Sequence, residues 1–325
     1  MKRCWMALAV LAMLGNAGAQ DFPTREIRLI VGVTPGSAAD IIARAFTPAM
    51  AERLKQPVVI DNRPGADTII ATNVVRSAKP DGYTLLLAQP AHAINPTLYP
   101  DRAYDPVKDF TPIALVSTSS NVFVVRADSP IKDLAGLIAA AKAKPDALNY
   151  GDAGGSPYLA AEMLNTTAGV RTTHVAYKGA AEALTEVLGG RLDYAPTSVS
   201  SATALLRAGQ LRALAVTTST RNPDFPDVPT VAELLPGYQA ITWWGVVGPA
   251  GMPPAVTARL NEAIAGAIRD PAVKARLAAV GIDAVTGTPD EFSAFIVSEM
   301  QKWAPIVKAT MAARRGSRVI FLSPA

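Results

Sequence analysis

The sequence predicts an α/β protein built as two lobes, on three observations. Short β-branched runs alternate with alanine-rich amphipathic stretches, the pattern of parallel strands joined by crossover helices. The chain is longer than a single hydrophobic core usually grows, so two domains are expected. Two extended apolar runs, 113–125 and 211–218, hold no tight turn to fold them back, which suits strands passing between lobes. In chain order the expected strands are 27–33, 58–62, 84–87, 122–126, 173–176, 214–218 and 242–247. The helical patterns between them are 41–54, 134–143, 159–168, 180–188 and 256–268. Pro48 falls inside the first, where its missing N–H and its clash with the preceding turn predict a kink or break. Two crossings then give a first lobe of residues 20–121 and 219–325 and a second of 122–218. A ligand cleft is expected between them, over two hinge strands.

The opening residues address the compartment. Met1-Lys2-Arg3 precedes an apolar run from Cys4 to Leu14 and then the small residues Gly15 to Ala19, so residues 1–19 read as a signal peptide cleaved after Ala19. Eleven apolar residues (4 to 14) fall short of the ~20 that span a bilayer. An exported protein of 325 − 19 = 306 residues is expected, without its one cysteine and with no direct membrane insertion. A monomer is expected. Net charge is +4, and +2 once Lys2 and Arg3 are gone. The basic residues are scattered singly, which excludes a stripe following a nucleic-acid backbone, and the mild excess suits an anionic ligand.

Three turns that open helices are candidate anion sites, because a helix start gathers unpaired N–H donors and partial positive charge. The first holds Thr34, Pro35, Gly36, Ser37, Ala38 and Asp40. Ser37 and Asp40 stand three apart, the spacing of a reciprocal cap, and the same carboxylate is also placed to meet a ligand ammonium. The second is Gly154, Gly155, Ser156 and Tyr158, with Ser156 as N-cap and Pro157 as the first helical residue. The third is Tyr177, Lys178 and Gly179: a hydroxyl on an apolar ring, a charge, and a glycine that admits close approach. A lysine at a helix start opposes the dipole, so Lys178 is either a ligand contact or a solvated side chain.

Catalytic patterns are lacking. The two histidines, His92 and His174, have no metal-ligand spacing, so neither a zinc site nor any cofactor is expected. A Gly-x-Ser-x-Gly elbow, a phosphate loop and a dinucleotide fingerprint are absent. His174 alternates with apolar Val175 and reads as a packed strand residue, whereas Ala91 and His92 read as a loop lining the cleft. A hydrolase or isomerase using His92 with Asp40 is the enzyme alternative; the primary reading is no enzyme.

Several collinear segments carry a resemblance. They include Ile27-Arg28-Leu29-Ile30-Val31, Pro35-Gly36 with Asp40, Asp61-Asn62-Arg63-Pro64-Gly65-Ala66, Pro80-Asp81-Gly82-Tyr83-Thr84, His92-Ala93-Ile94-Asn95-Pro96, Tyr104-Asp105-Pro106, His174-Val175-Ala176-Tyr177-Lys178-Gly179 and Pro226-Asp227-Val228-Pro229-Thr230. Over about residues 27 to 308 the chain resembles the receptors of tripartite tricarboxylate transporters, the Bug receptor family of periplasmic solute-binding proteins. The resemblance implies a two-lobed type II periplasmic-binding-protein fold, no cofactor, no catalysis, and a small carboxylate held at the three turns and handed to a membrane permease. A ligand sensor of the same fold, signalling to a membrane kinase, is the alternative role. Against the family pattern, Gly32, Thr34, Ser37 and Ala38 replace the usual glycines and proline of the first turn. Tyr158 stands for a histidine, and Thr197 for an aspartate, a change that favours a plain acid over an amino acid. The tail from Met311 to Ala325 departs from the family ending.

Overall fold

The computed structural model describes residues 22–102, 104–152, 155–177 and 179–316. The expected signal peptide (1–19), Gly154, Lys178 and the end of the tail lie outside the described residues. The strands are β1 (Ile27–Val31), β2 (Val58–Asn62), β3 (Thr84–Ala88), β4 (Phe110–Arg126), β5 (Asn149–Asp152), β6 (Thr173–Ala176), β7 (Ala195–Ser198), β8 (Leu211–Val216), β9 (Ile241–Pro249) and β10 (Asp283–Ala284). The helices are α1 (Ala38–Leu54), α2 (Ile69–Arg76), α3 (Pro90–Leu98), α4 (Leu134–Ala143), α5 (Gly155–Ala168), α6 (Ala180–Leu188), α7 (Val199–Arg207), α8 (Pro254–Arg269), α9 (Pro271–Ala278) and α10 (Pro289–Gly316). The chain divides into two compact units. The first contains the described residues up to Val116, Trp244–Lys274 and Val285–Val297; the second contains Ser117–Trp243, Ala275–Ala284 and the described residues from Ser298 onward.

The chain passes from the first unit to the second inside β4, within the 113–125 run that the sequence marks as a connection. The first return lies in β9, between Trp243 and Trp244, and the chain changes unit again after Lys274, Ala284 and Val297. The other run expected to connect, 211–218, instead contributes β8, which pairs antiparallel with β4 inside the second unit (Val122↔Val216, Val125↔Arg212). A strand with a free edge to pair needs no turn after it to be held, so the lack of a turn did not mark a crossing there.

In the first unit, β1 is the parallel centre between β2 (Ile27↔Val58) and β3 (Arg28↔Thr84), and β9 runs antiparallel to β3 (Leu86↔Val247). Ile27, Leu29, Ile30 and Val31 are buried, as a central strand covered on both faces requires. Helix α1 lays Ile42, Phe46 and Met50 into this core and stays unbroken across Pro48, which sits on its exposed side. Because the proline ring faces solvent, the carbonyl it leaves unpaired can be hydrated, and the helix survives.

In the second unit, β5 pairs parallel with β6 (Asn149↔Thr173 to Asp152↔Ala176), and a parallel bridge joins Tyr150 to Tyr194 just ahead of β7. β7 in turn runs antiparallel to β4 (Asn121↔Ser198). The core of this unit is Val122, Val124, Leu184, Val187, Leu192, Val199 and Val216.

Candidate ligand site

Each turn picked out by the sequence follows the carboxyl end of a strand. In the second unit β6, β5 and β7 run in the same direction, and each is followed at once by a helix: α6, α5 and α7. Ser156, Tyr177, Gly179 and Thr197 therefore leave the same edge of the sheet, the edge at which α/β proteins bind ligands. In the first unit β1 and β3 likewise run parallel and feed α1 and α3 from one edge, bringing the turn at Thr34 and the start at Ala91 to the same side.

The first turn is shaped by close packing. A Cβ on Gly32 would lie 2.7 Å from Thr68 Cβ and 3.2 Å from Ala71 Cβ, so glycine is what lets β1 run out beside that segment. Thr34, Pro35 and Gly36 are exposed, and Gly36 has φ +82° with open space around its Cα. Ser37 is the N-cap of α1, but its side chain makes no capping bond, and Oγ is buried with no hydrogen-bond partner among the described residues. Ala38 is exposed.

Asp40 does not form the reciprocal cap its spacing suggests. Its carboxylate, 2% exposed, accepts from the Gly36 N–H (2.9 Å), from Arg44 Nε and Nη2 (2.9 and 3.0 Å) and from Asn62 Nδ2 (3.1 Å). The Arg44 bond, helped by Gly36 and Asn62 against the opposing effect of burial, holds its pKa down to about 2. A carboxylate paired in this way braces the turn, and its negative charge is largely cancelled by Arg44.

His92 is not in a loop. It lies in the first turn of α3, 1% exposed, with its ring against Phe110 (4.8 Å) and Tyr104 (5.3 Å) and Nε2 3.1 Å from the Pro106 carbonyl. Burial pushes its pKa down to about 4, against that carbonyl bond. Residues 90–98 form a helix, with Pro90 at its head where the missing N–H costs nothing, despite Pro96 inside it. Ala91 beside it is partly buried.

In the second unit, α5 starts at Gly155, so Ser156 is its second residue and not the expected N-cap, and Pro157 is the third, still within the first turn where a missing N–H is tolerated; Ser156 Oγ accepts from Asn121 Nδ2 at 2.7 Å. The Tyr158 ring lies 4.8 Å from His174, whose Nε2 stands 3.2 Å from the buried Asp152 carboxylate. His174 is thus the packed strand residue the alternation predicts. Tyr177 donates its N–H to the Asp152 carbonyl (2.8 Å), and its ring covers Gly151, where a Cβ would meet Tyr177 Cε2 at 2.6 Å. Gly179 caps α6 with extended backbone and open space around it. Thr197, on β7, is 3% exposed, and its Oγ1 has no hydrogen-bond partner among the described residues. Three residues that serve these turns escaped the sequence reading: Arg44, Asn62 and Asn121. Arg44 was signalled by its i,i+4 spacing from Asp40, and Asn121 by being an amide inside an apolar strand, where it must find partners.

Among the described residues no cluster of histidine, cysteine, aspartate or glutamate is arranged to hold a metal, and no helix is long and apolar enough to cross a membrane. The model of the tripartite tricarboxylate transporter family receptor matches residues 42–311. The chain belongs to that family. It is 37% identical over 93% of its length, and 91% of the relative's, to the UPF0065 protein in the tcbD-tcbE intergenic region of Pseudomonas sp. strain P51. MatC of Rhodopseudomonas palustris with bound malate is similar at 33% identity and a TM-score of 0.71, covering 88% of this chain and all (100%) of that one. A second R. palustris protein, solved with adipate, is similar at 34% identity and a TM-score of 0.72, covering 89% of this chain and 98% of that one. The family is one of solute-binding receptors, not enzymes, and solved structures of a TctC solute-binding protein from Polaromonas (28% identity, TM-score 0.82, covering 89% of this chain and 99% of that one) and of the periplasmic binding protein BugD (29%, 0.70, covering 89% and 98%) are similar to this chain too.

Proposed function

We propose that this receptor works in the periplasm, binds a small dicarboxylate, and passes it to the membrane permease of a tripartite transporter. The observation that carries the reading is the gathering of three helix starts, those of α5, α6 and α7, at the carboxyl edge of the parallel strands β5, β6 and β7. Each start offers N–H groups with no partner inside its helix, and three together favour an anion. In this reading Gly155, Ser156, Gly179 and Thr197 of the second unit supply donors, with Tyr158 and Tyr177 alongside. The first unit carries an anion site of the same kind at the start of α1, where Asp40 braces the turn from Thr34 to Ala38. That family neighbours hold malate and adipate supports two carboxylates rather than one. Charge-assisted hydrogen bonds contribute about 1.5–3 kcal/mol each, and micromolar affinity corresponds to about 8 kcal/mol, so four or five suffice.

The test is a thermal-shift series with four- to six-carbon dicarboxylates, citrate, benzoate and glutamate. A ligand at 100 times its dissociation constant stabilises by about 2.7 kcal/mol, a shift of several degrees. The expected result is a shift with a dicarboxylate and none with glutamate, since Thr197 supplies no charge for an ammonium. A shift with glutamate alone would defeat the assignment.

A further inference from the structure

We propose that Asn121 is a positioning residue for ligand binding, acting by fixing the Ser156 hydroxyl as a hydrogen-bond donor. The inference rests on the function proposed above and adds a residue to it. Asn121 lies in β4, 2% exposed. Its backbone is held at both polar groups by Thr217: its N–H donates to Thr217 Oγ1 (3.0 Å), and its carbonyl accepts from the Thr217 N–H (2.9 Å) and hydroxyl (3.2 Å). The side-chain amide then reaches two groups with one atom. Nδ2 lies 3.3 Å from the Ala240 carbonyl and 2.7 Å from Ser156 Oγ.

The orientation of that amide is decided by chemistry. A carbonyl oxygen only accepts, so the atom facing Ala240 must be the NH2 group, and the same NH2 is what meets Ser156. Ser156 Oγ therefore accepts from Asn121. A hydroxyl whose lone pair is taken by a donor keeps its single proton for another acceptor, and among the described residues the Ser156 proton has none. At the second residue of α5, beside the N–H groups of that helix start, the free proton suits a carboxylate oxygen. Had the amide been reversed, Ser156 would donate inward and present only lone pairs, which repel an acid. The Asn121–Ala240 contact thus determines which way the serine hydroxyl works.

The experiment is calorimetric titration of malate and of adipate into the wild type, Asn121→Ala, Asn121→Asp, Ser156→Ala and the Asn121→Ala/Ser156→Ala double variant, with melting temperatures recorded in parallel. Losing one charge-assisted hydrogen bond weakens binding about tenfold. That loss is expected for Ser156→Ala and a similar one for Asn121→Ala, with the double variant no weaker than Ser156→Ala within a factor of about two. Asn121→Asp, nearly the same shape, turns the serine proton inward and is expected to bind more weakly than Asn121→Ala; it serves where the alanine variant does not fold. A merely structural Asn121 would lower the melting temperature without this non-additivity. Losses that multiply in the double variant, or an Asn121→Ala affinity within twofold of wild type while Ser156→Ala is weakened, overturn the assignment. Wild-type protein binding neither acid, or Ser156→Ala binding as wild type does, overturns the site reading itself, and the role of Asn121 with it.

Discussion

Asp40 and His92 tie the acid stability of the first unit to two buried side chains. The carboxyl of Asp40 has its pKa lowered from 3.8 to about 2, so it binds protons more weakly folded than unfolded. Its contribution is full above about pH 4 and is lost as the pH falls toward 2. His92, lowered from 6.5 to about 4 by burial, is neutral in the fold; its contribution is full above about pH 6.5 and fades as the pH falls through 4. Melting temperature should therefore fall in two stages on acidification. Asp40→Asn should flatten the lower stage while costing about 1.5–3 kcal/mol at pH 7, and His92→Gln should flatten the upper one. An unchanged pH profile in both variants would contradict these placements. At Gly151 the constraint is steric: an added methyl collides with the Tyr177 ring, so Gly151→Ala is expected to destabilise by about 1–3 kcal/mol, read by urea unfolding. Much at this scale was legible, since Ser37 and Gly179 occupy the helix-start positions their residue types suggest. What escaped was who bonds to whom. Asn62 reaches Asp40 of α1 from β2, and Asn121 reaches Ser156 from 35 residues away, and no local pattern encodes either pairing.

Among the elements, α10 is fastened to β9 by one buried acid. Glu299, 0% exposed, accepts from Trp243 Nε1 and Trp303 Nε1, each at 3.0 Å, and pairs with Lys302, whose ammonium also donates to the Gln239 carbonyl (3.1 Å). Glu299→Ala removes the acceptor of two indoles and strands a mostly buried ammonium, so it should cost about 3–5 kcal/mol, with Glu299→Gln milder. Urea midpoints for the two variants check the order; a neutral Glu299→Ala would contradict the cluster. The elements best read from sequence were those with a clean period. β2 is predicted at its observed bounds, α4 and α6 match 134–143 and 180–188, and β3 runs one residue past 84–87. β5, with the sequence Asn-Tyr-Gly-Asp, carries no β-branched residue, and β7 contains Pro196, so propensity hides both. They form because β6 and β4 offer hydrogen-bonding edges to them.

For the molecule as a whole, alternation of strand and helix fixed the fold class, and collinear motifs pointed to the family that the residue 42–311 match establishes. The chain first changes unit in β4 and next in β9, whose apolar strand is indistinguishable by pattern from an ordinary core strand. The mild net charge of +4 agrees with an anionic guest but selects none. The central claim is that a small dicarboxylate is bound by donors at the start of α5. Calorimetric titration of four- to six-carbon dicarboxylates into wild-type protein and Ser156→Ala tests it most directly. The account predicts saturable one-site binding near the micromolar range in the wild type, weakened about tenfold by the substitution. Equal affinity in the two proteins, or no saturable heat from any of these acids, would contradict it.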